Sequence, residues 1–105
     1  MLVVELSCPD KSWAEYWSGN DLIASCKAND GTLEKGACMG YILGIADTLA
    51  AGVQIGSSRA CITGGVNIGQ LVDTVTHFLN TSRDIKNGSA GILVATALSD
   101  AFPCK

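Results

Sequence analysis

Apolar residues recur at helical spacing in four separate stretches of the chain. The longest stretch has intervals of 4, 3 and 4 residues, at Cys38, Ile42, Ile45 and Leu49. This spacing places the four side chains on one face of a helix. Thr32 is a residue type that caps helices, so we predict a helix from Thr32 to about Ala51.

Two further stretches begin with the spacing of a capping box, in which two side chains at a helix start bond to each other's backbone. Ser18 and Asp21 have this spacing, and the helix after them is predicted to end near Lys27. Asn67 and Gln70 have it too, before a third predicted helix. The apolar face of that helix should contain Ile68, Leu71, Val72, Val75, Phe78 and Leu79.

A fourth helix is predicted from about Ser89 to Ala101, because the helical period returns and Pro103 cannot continue it. Its inward residues should be Leu93, Val94, Ala97, Leu98 and Ala101. Residues 52–65 and 80–88 lack a helical period and are predicted to be loops. The pattern therefore predicts an all-α fold, a small four-helix disulfide-bridged domain arranged as an antiparallel bundle.

Composition adds bounds on size and partners. With 105 residues, 48% of them hydrophobic, the chain can build one domain with its own core. We expect residues 1–17 to form a partly ordered N-terminal extension and residues 18–105 to form that domain. A net charge of −3 without any Lys/Arg cluster argues against nucleic acid as a partner and favours a basic or neutral protein. The longest apolar run, residues 90–98, is too short for a membrane span.

Five cysteines are typical of an oxidising compartment, so we predict a secreted or periplasmic protein. The first residues do not form a signal peptide, which we interpret as a mature or truncated chain. Spacing alone leaves the pairing open. In an antiparallel bundle the start of one helix lies beside the end of the next, and this favours the bridges Cys26–Cys38 and Cys61–Cys104. Cys8 is then left over.

No catalytic or metal site is predicted. The chain has one histidine, His77, and no Cys-x-x-Cys pair, so the usual zinc ligands are missing. A cysteine hydrolase would need a free thiolate with a base and an orienting group, whereas four thiols are assigned to bridges. We expect His77 at a solvent-facing or boundary position, and Asp47 either on a solvated face or buried with a partner. The protein is therefore predicted to be no enzyme and to need no cofactor.

Two surface features leave alternatives open. Glycine recurs every fourth residue on the second predicted helix, at Gly36, Gly40 and Gly44. Such a groove lets another helix approach closely, either from the same chain or from a second subunit. Aromatic residues precede the first helix, at Trp13, Tyr16 and Trp17. They form either a lid over one end of the bundle or an exposed binding patch.

Four runs of sequence resemble the Rap/Tai family, whose members protect bacteria from type VI secretion amidase effectors. The runs are SGNDL at 18–22 with Cys26, CMGYILGIAD at 38–47, Cys61-Ile62 with GVNIGQLVD at 65–73, and AFPC at 101–104. Thr63 and Ser82 depart from the family pattern, which commonly has proline after Cys-Ile and His-Pro after the third helix. Both positions lie in predicted loops, so the departures concern the choice of partner rather than the fold.

The resemblance implies a periplasmic all-α protein, usually a homodimer, that binds a papain-like peptidoglycan amidase and blocks its substrate groove. A small periplasmic structural or chaperone-like protein is the alternative. We expect a protruding loop to enter the amidase cleft. The first-choice residues are Asn80, Thr81, Ser82, Arg83, Asp84, Ile85 and Lys86, and the second choice is Gln54, Ser57, Ser58 and Arg59.

Overall fold

The computed structural model describes residues 16–82 and 86–105, and these residues form four α-helices. The helices are α1 (Gly19–Cys26), α2 (Leu33–Ala50), α3 (Ile68–Thr81) and α4 (Ala90–Ala101). Within the described ranges the only β-type pairing is two isolated bridges. The predicted all-α, four-helix class is therefore confirmed. Cys8 and Trp13 lie outside the described residues.

The helix starts form as the sequence predicts. The Ser18 hydroxyl accepts from the Asp21 amide at 3.2 Å, and the Asp21 carboxylate accepts from the Ser18 amide at 3.0 Å. Asn67 and Gln70 form the same reciprocal pair at 2.9 and 2.8 Å. The Thr32 hydroxyl caps α2. These caps satisfy backbone donors that have no acceptor within their own helix, so they fix where α1, α2 and α3 begin.

One predicted boundary is wrong. We predicted a loop from residue 80, whereas α3 continues through Asn80 and Thr81. The Thr81 hydroxyl donates to the carbonyl oxygens of His77 and Phe78 at 3.0 and 3.1 Å, so a polar side chain satisfies carbonyls of the last turn. Polar composition therefore does not end this helix. We define the remaining connections as the α2–α3 connection (residues 51–67) and the α3–α4 connection (residues 82–89).

The core is contributed by all four helices, each of which packs against the other three. Its largest fully buried side chains are Leu22, Ile42, Leu49, Leu79, Leu98, Val75, Val94 and Cys38. Ala101, predicted to face inward, is exposed, whereas Ala95 is fully buried. More of the α4 surface is therefore buried than a single apolar stripe predicts. The small side chain of Ala95 lets neighbouring helices approach this part of α4 closely.

Both predicted disulfides are confirmed. Cys26–Cys38 joins the end of α1 to α2, and both cysteines are buried. Cys61–Cys104 joins the α2–α3 connection to the C-terminal residues, and both of its cysteines are exposed. The Cys61 amide also donates to the Phe102 carbonyl oxygen at 2.8 Å. One bridge is thus part of the core, while the other holds a surface connection. In the described residues no helix is long and apolar enough to cross a membrane.

Candidate partner-binding surface

The start of α1 lies against the end of the α3–α4 connection. The Gly19 amide donates to the Gly88 carbonyl oxygen at 3.0 Å, and the Asn20 amide donates to the Lys86 carbonyl oxygen at 2.9 Å. The first amides of a helix lack acceptors within the helix, and here a neighbouring connection supplies them. The α3–α4 connection is therefore attached to the body of the domain just before α4 begins.

Trp17 and Tyr41 also contact the first turn of α4. The Trp17 carbonyl oxygen accepts from the Ala90 amide at 2.9 Å, and the Trp17 ring stacks on Tyr41 with ring centroids 5.3 Å apart. Burial raises the pKa of the Tyr41 hydroxyl, and a hydrogen bond from the Gly91 backbone opposes part of that rise. Ser89 makes no side-chain cap bond, so neighbouring elements satisfy the start of α4 instead.

The α2–α3 connection approaches the same turn of α4. Ile55 and Ser58 exchange two backbone hydrogen bonds at 3.0 and 2.9 Å, which closes a tight turn around Gly56. Gly56 has a positive φ of 59°, and a Cβ added there would lie 3.2 Å from the Ile92 Cδ1 atom. Ile92 remains 46% exposed. The two predicted loops therefore meet at the first turn of α4.

The second-choice residues of the α2–α3 connection lie at the surface. Gln54, Ser57 and Arg59 are exposed and Ser58 is half-buried. The Gln54 side-chain amide donates to the Gly56 carbonyl oxygen at 3.0 Å, which braces the turn. Arg59 borders a cleft of about 300 Å³ that also contacts the exposed disulfide. This connection therefore offers both hydrogen-bonding groups and one cation to a partner.

The first-choice residues are divided between helix and loop. Asn80 and Thr81 are exposed in the last turn of α3, and Ser82, which follows them, is half-buried. Lys86 is half-buried because its backbone packs on the start of α1. The remaining three, Arg83, Asp84 and Ile85, lie outside the described residues. The predicted loop of residues 80–88 is therefore wrong at residues 80 and 81, which are helical, and it stays a prediction at residues 83–85.

The glycine stripe of α2 is open. A Cβ added at Gly36, Gly40 or Gly44 would meet nothing within 4 Å among the described residues. Among the described residues, no helix of the same chain packs on this stripe. On the same helix Leu33 and Leu43 are 85% and 41% exposed. The apolar residues of α2 thus surround the helix, although only one side of it is buried.

The remaining candidate residues are His77, Asp47 and the aromatic residues that precede α1. His77 and Asp47 are both exposed, as expected for solvated helix faces. Trp17 is half-buried on Tyr41, which agrees with a lid, whereas Tyr16 is 93% exposed. Among the residues that the structure describes, no group of three or more His, Cys, Asp or Glu side chains could hold a metal ion.

Sequence reasoning gave no role to Gly19, Tyr41 or Ile92. Each of them acts through a contact with a residue that is distant in sequence, so periodicity and spacing carry no signal for it. The capping box at Ser18 was the only nearby signal. It predicted where α1 starts but gave no indication of what the first amides of α1 bind.

Together these features define a class of protein, a small disulfide-bonded helical domain with exposed connections and exposed apolar side chains. The family model of Rap1a immunity proteins matches residues 18–104, a range that includes all four helices and both bridges. The chain therefore belongs to the Rap1a immunity protein family, as the four sequence runs predicted. Membership implies binding of a cognate effector. No curated protein matches the chain.

Proposed function

We propose that this protein is an immunity protein that binds a type VI secretion peptidoglycan amidase and blocks its active-site groove. The family match over residues 18–104 carries this proposal. Two disulfides support a location in an oxidising compartment, and we assign the protein to the periplasm. There it protects the producing cell and its kin from the effector.

Inhibition is by steric occlusion, without catalysis by the immunity protein. The α3–α4 connection enters the cleft of a papain-like Cys-His amidase, and the α2–α3 connection makes a second set of contacts. The approach of Gly56 to Ile92 supports a shared surface, because it brings the two connections to the same turn of α4. Exposed Ile92 supplies apolar area to this contact, since removal of apolar surface from water favours association.

The working form is a homodimer that packs through the glycine stripe of α2. Three glycines with no described neighbour within 4 Å let a second backbone approach closely, and exposed Leu33 and Leu43 supply apolar area on the same helix. Gly40→Leu fills the stripe without disturbing the described monomer and should convert the dimer to a monomer in sedimentation experiments. Gly64→Leu, where a Cβ also meets nothing within 4 Å, is the control.

The test of inhibition is a titration of the oxidised protein into a peptidoglycan-cleavage assay with an amidase effector, for which the product of the neighbouring gene is the candidate. Cleavage should disappear at a stoichiometric ratio. Undiminished cleavage by that amidase, with the immunity protein shown to be folded, contradicts the proposal and favours a general periplasmic binding role.

The same assay tests the choice of connection. Arg83→Ala combined with Asp84→Ala should weaken inhibition, because it removes two charges from the first-choice segment. The matched control is Lys27→Ala combined with Asp30→Ala. It also removes one positive and one negative charge, but near the end of α1. Equal inhibition by both double variants would exclude the α3–α4 connection as the main contact.

A further inference from the structure

We propose that Gly19 and Asn20 are positioning residues, which hold residues 86–88, the end of the α3–α4 connection, against the start of α1 and so fix where the partner-binding segment joins α4. The inference rests on the proposed function, because this connection is the first-choice partner-binding segment. Neither residue needs to touch the partner. Their role is to determine where the end of the connection lies.

Three hydrogen bonds join the start of α1 to residues 86–88. Gly19 and Asn20 are the first two residues of α1, and their amides donate to the carbonyl oxygens of Gly88 and Lys86. The Asn20 side-chain amide adds a bond to the Asn87 side-chain oxygen at 2.7 Å. The helix start requires acceptors, and the carbonyl oxygens of residues 86–88, which lie in turns rather than in a helix, require donors. Each segment therefore satisfies the backbone of the other.

Close approach at this point requires a glycine. Gly19 is buried, and a Cβ added to it would lie 2.7 Å from the Leu93 Cδ1 atom and 2.8 Å from the Lys86 carbonyl oxygen. The leucine methyl group can move aside, but the carbonyl oxygen belongs to the backbone of the connection. Any larger residue therefore displaces the connection or the start of α1.

Attachment at this end reduces the conformational entropy that the connection would lose on binding. A segment held in its bound arrangement loses less conformational entropy on association, so its affinity is higher for the same contacts. Asn20→Ala removes the side-chain bond and leaves the backbone free to form α1. We expect affinity for the amidase to fall roughly threefold to tenfold, the effect of about one hydrogen bond.

The experiment compares Asn20→Ala with Asn67→Ala. Asn67 caps α3, so its substitution lowers stability by removing a hydrogen bond elsewhere in the domain. Three quantities are measured on the full oxidised chain: the unfolding midpoint, the amide hydrogen exchange of Gly19, Asn20 and Ala90, and the affinity for the amidase of the neighbouring gene. Asn20→Ala should accelerate exchange at those amides and weaken binding. Asn67→Ala should leave the exchange at those amides and the affinity for the amidase unchanged, although it lowers stability by an equal or greater amount.

Two results overturn the inference. Unchanged exchange in Asn20→Ala shows that the side-chain bond does not hold the connection. Faster exchange with unchanged affinity shows that the contact is structural and does not position a binding segment. If the wild-type chain does not bind the amidase, the proposed function fails, and the exchange measurement still supports or overturns the attachment by itself.

Discussion

The two connections that meet at the first turn of α4 are held in place by different means. The α2–α3 connection is attached by the exposed Cys61–Cys104 bridge and by the Cys61 amide bond to Phe102. The α3–α4 connection is attached by hydrogen bonds from Gly19 and Asn20 at the start of α1. One attachment is covalent, and the other depends on a close fit.

The difference shows what each attachment requires of its surroundings. A disulfide holds two segments even where water reaches it, because covalent strength does not depend on burial. Hydrogen bonds compete with water, so they hold a connection only where the surfaces fit closely. The attachment of the α2–α3 connection therefore depends on oxidation. The attachment of the α3–α4 connection depends on a glycine at position 19, because glycine has no side chain. Changes to either attachment should affect one connection much more than the other.

The largest effect is expected from removal of the exposed bridge. Cys61→Ser combined with Cys104→Ser should lower the free energy of unfolding by about 4 kcal/mol, because the bridge closes a long loop in the unfolded chain. Serine adds no buried hydroxyl here, since both cysteines are exposed. Denaturant unfolding measures the change.

Cys26→Ala combined with Cys38→Ala is the comparison, since the shorter loop should give about 3 kcal/mol from the same entropy term. In the Cys61/Cys104 double variant, hydrogen exchange at Gly19 and Asn20 should remain slow. A stability loss below about 1 kcal/mol would show that loop closure is not what this bridge contributes.

A smaller effect is expected at the hydrogen-bonded attachment. Gly19→Ala should cost about 1–3 kcal/mol of unfolding free energy, because the added methyl group overlaps the Lys86 carbonyl oxygen. Gly64→Ala is the matched control, since nothing lies within 4 Å of its Cβ position and its stability should change little. Equal unfolding midpoints for the two variants would contradict a close fit at Gly19.

The smallest effect is expected at Tyr41 and depends on pH. Its folded-state pKa is raised above the ordinary 10.0, mainly because burial disfavours the phenolate. Above pH 10 the unfolded chain loses this proton while the folded chain retains it, so stability declines as pH rises. Tyr41→Phe should cost about 0.5 kcal/mol at neutral pH and flatten the alkaline decline. An identical decline in Tyr41→Phe would exclude this tyrosine as its source.

Much of the fold was predictable because its signals are local. The capping pairs Ser18/Asp21 and Asn67/Gln70 predicted the starts of α1 and α3, and both pairs form. The pairing of the four bridged cysteines followed from the expected order of neighbouring helices. The end of α3 did not follow, since Thr81 satisfies helix carbonyls although it begins a polar run.

The candidate surface was predictable only in part. The two polar connections could be proposed as partner-binding segments from composition. That both reach the first turn of α4 could not, because the approach of Gly56 to Ile92 depends on how α4 packs. The glycine stripe was visible in the sequence, but whether another helix of the same chain covers it was decided by the arrangement of the other elements.

The sequence predicts the four helices apart from the end of α3, the caps of α1, α2 and α3, and the family, because each depends on residues a few positions apart or on motifs in a fixed order. The two bridges follow only when the expected order of the helices is added. Only the packing of the domain establishes that α1 supplies donors to residues 86–88 and that no described residue covers the glycine stripe of α2. These contacts join residues that are distant along the chain. They arise from side-chain volume and backbone geometry summed over the whole domain, which no local pattern records.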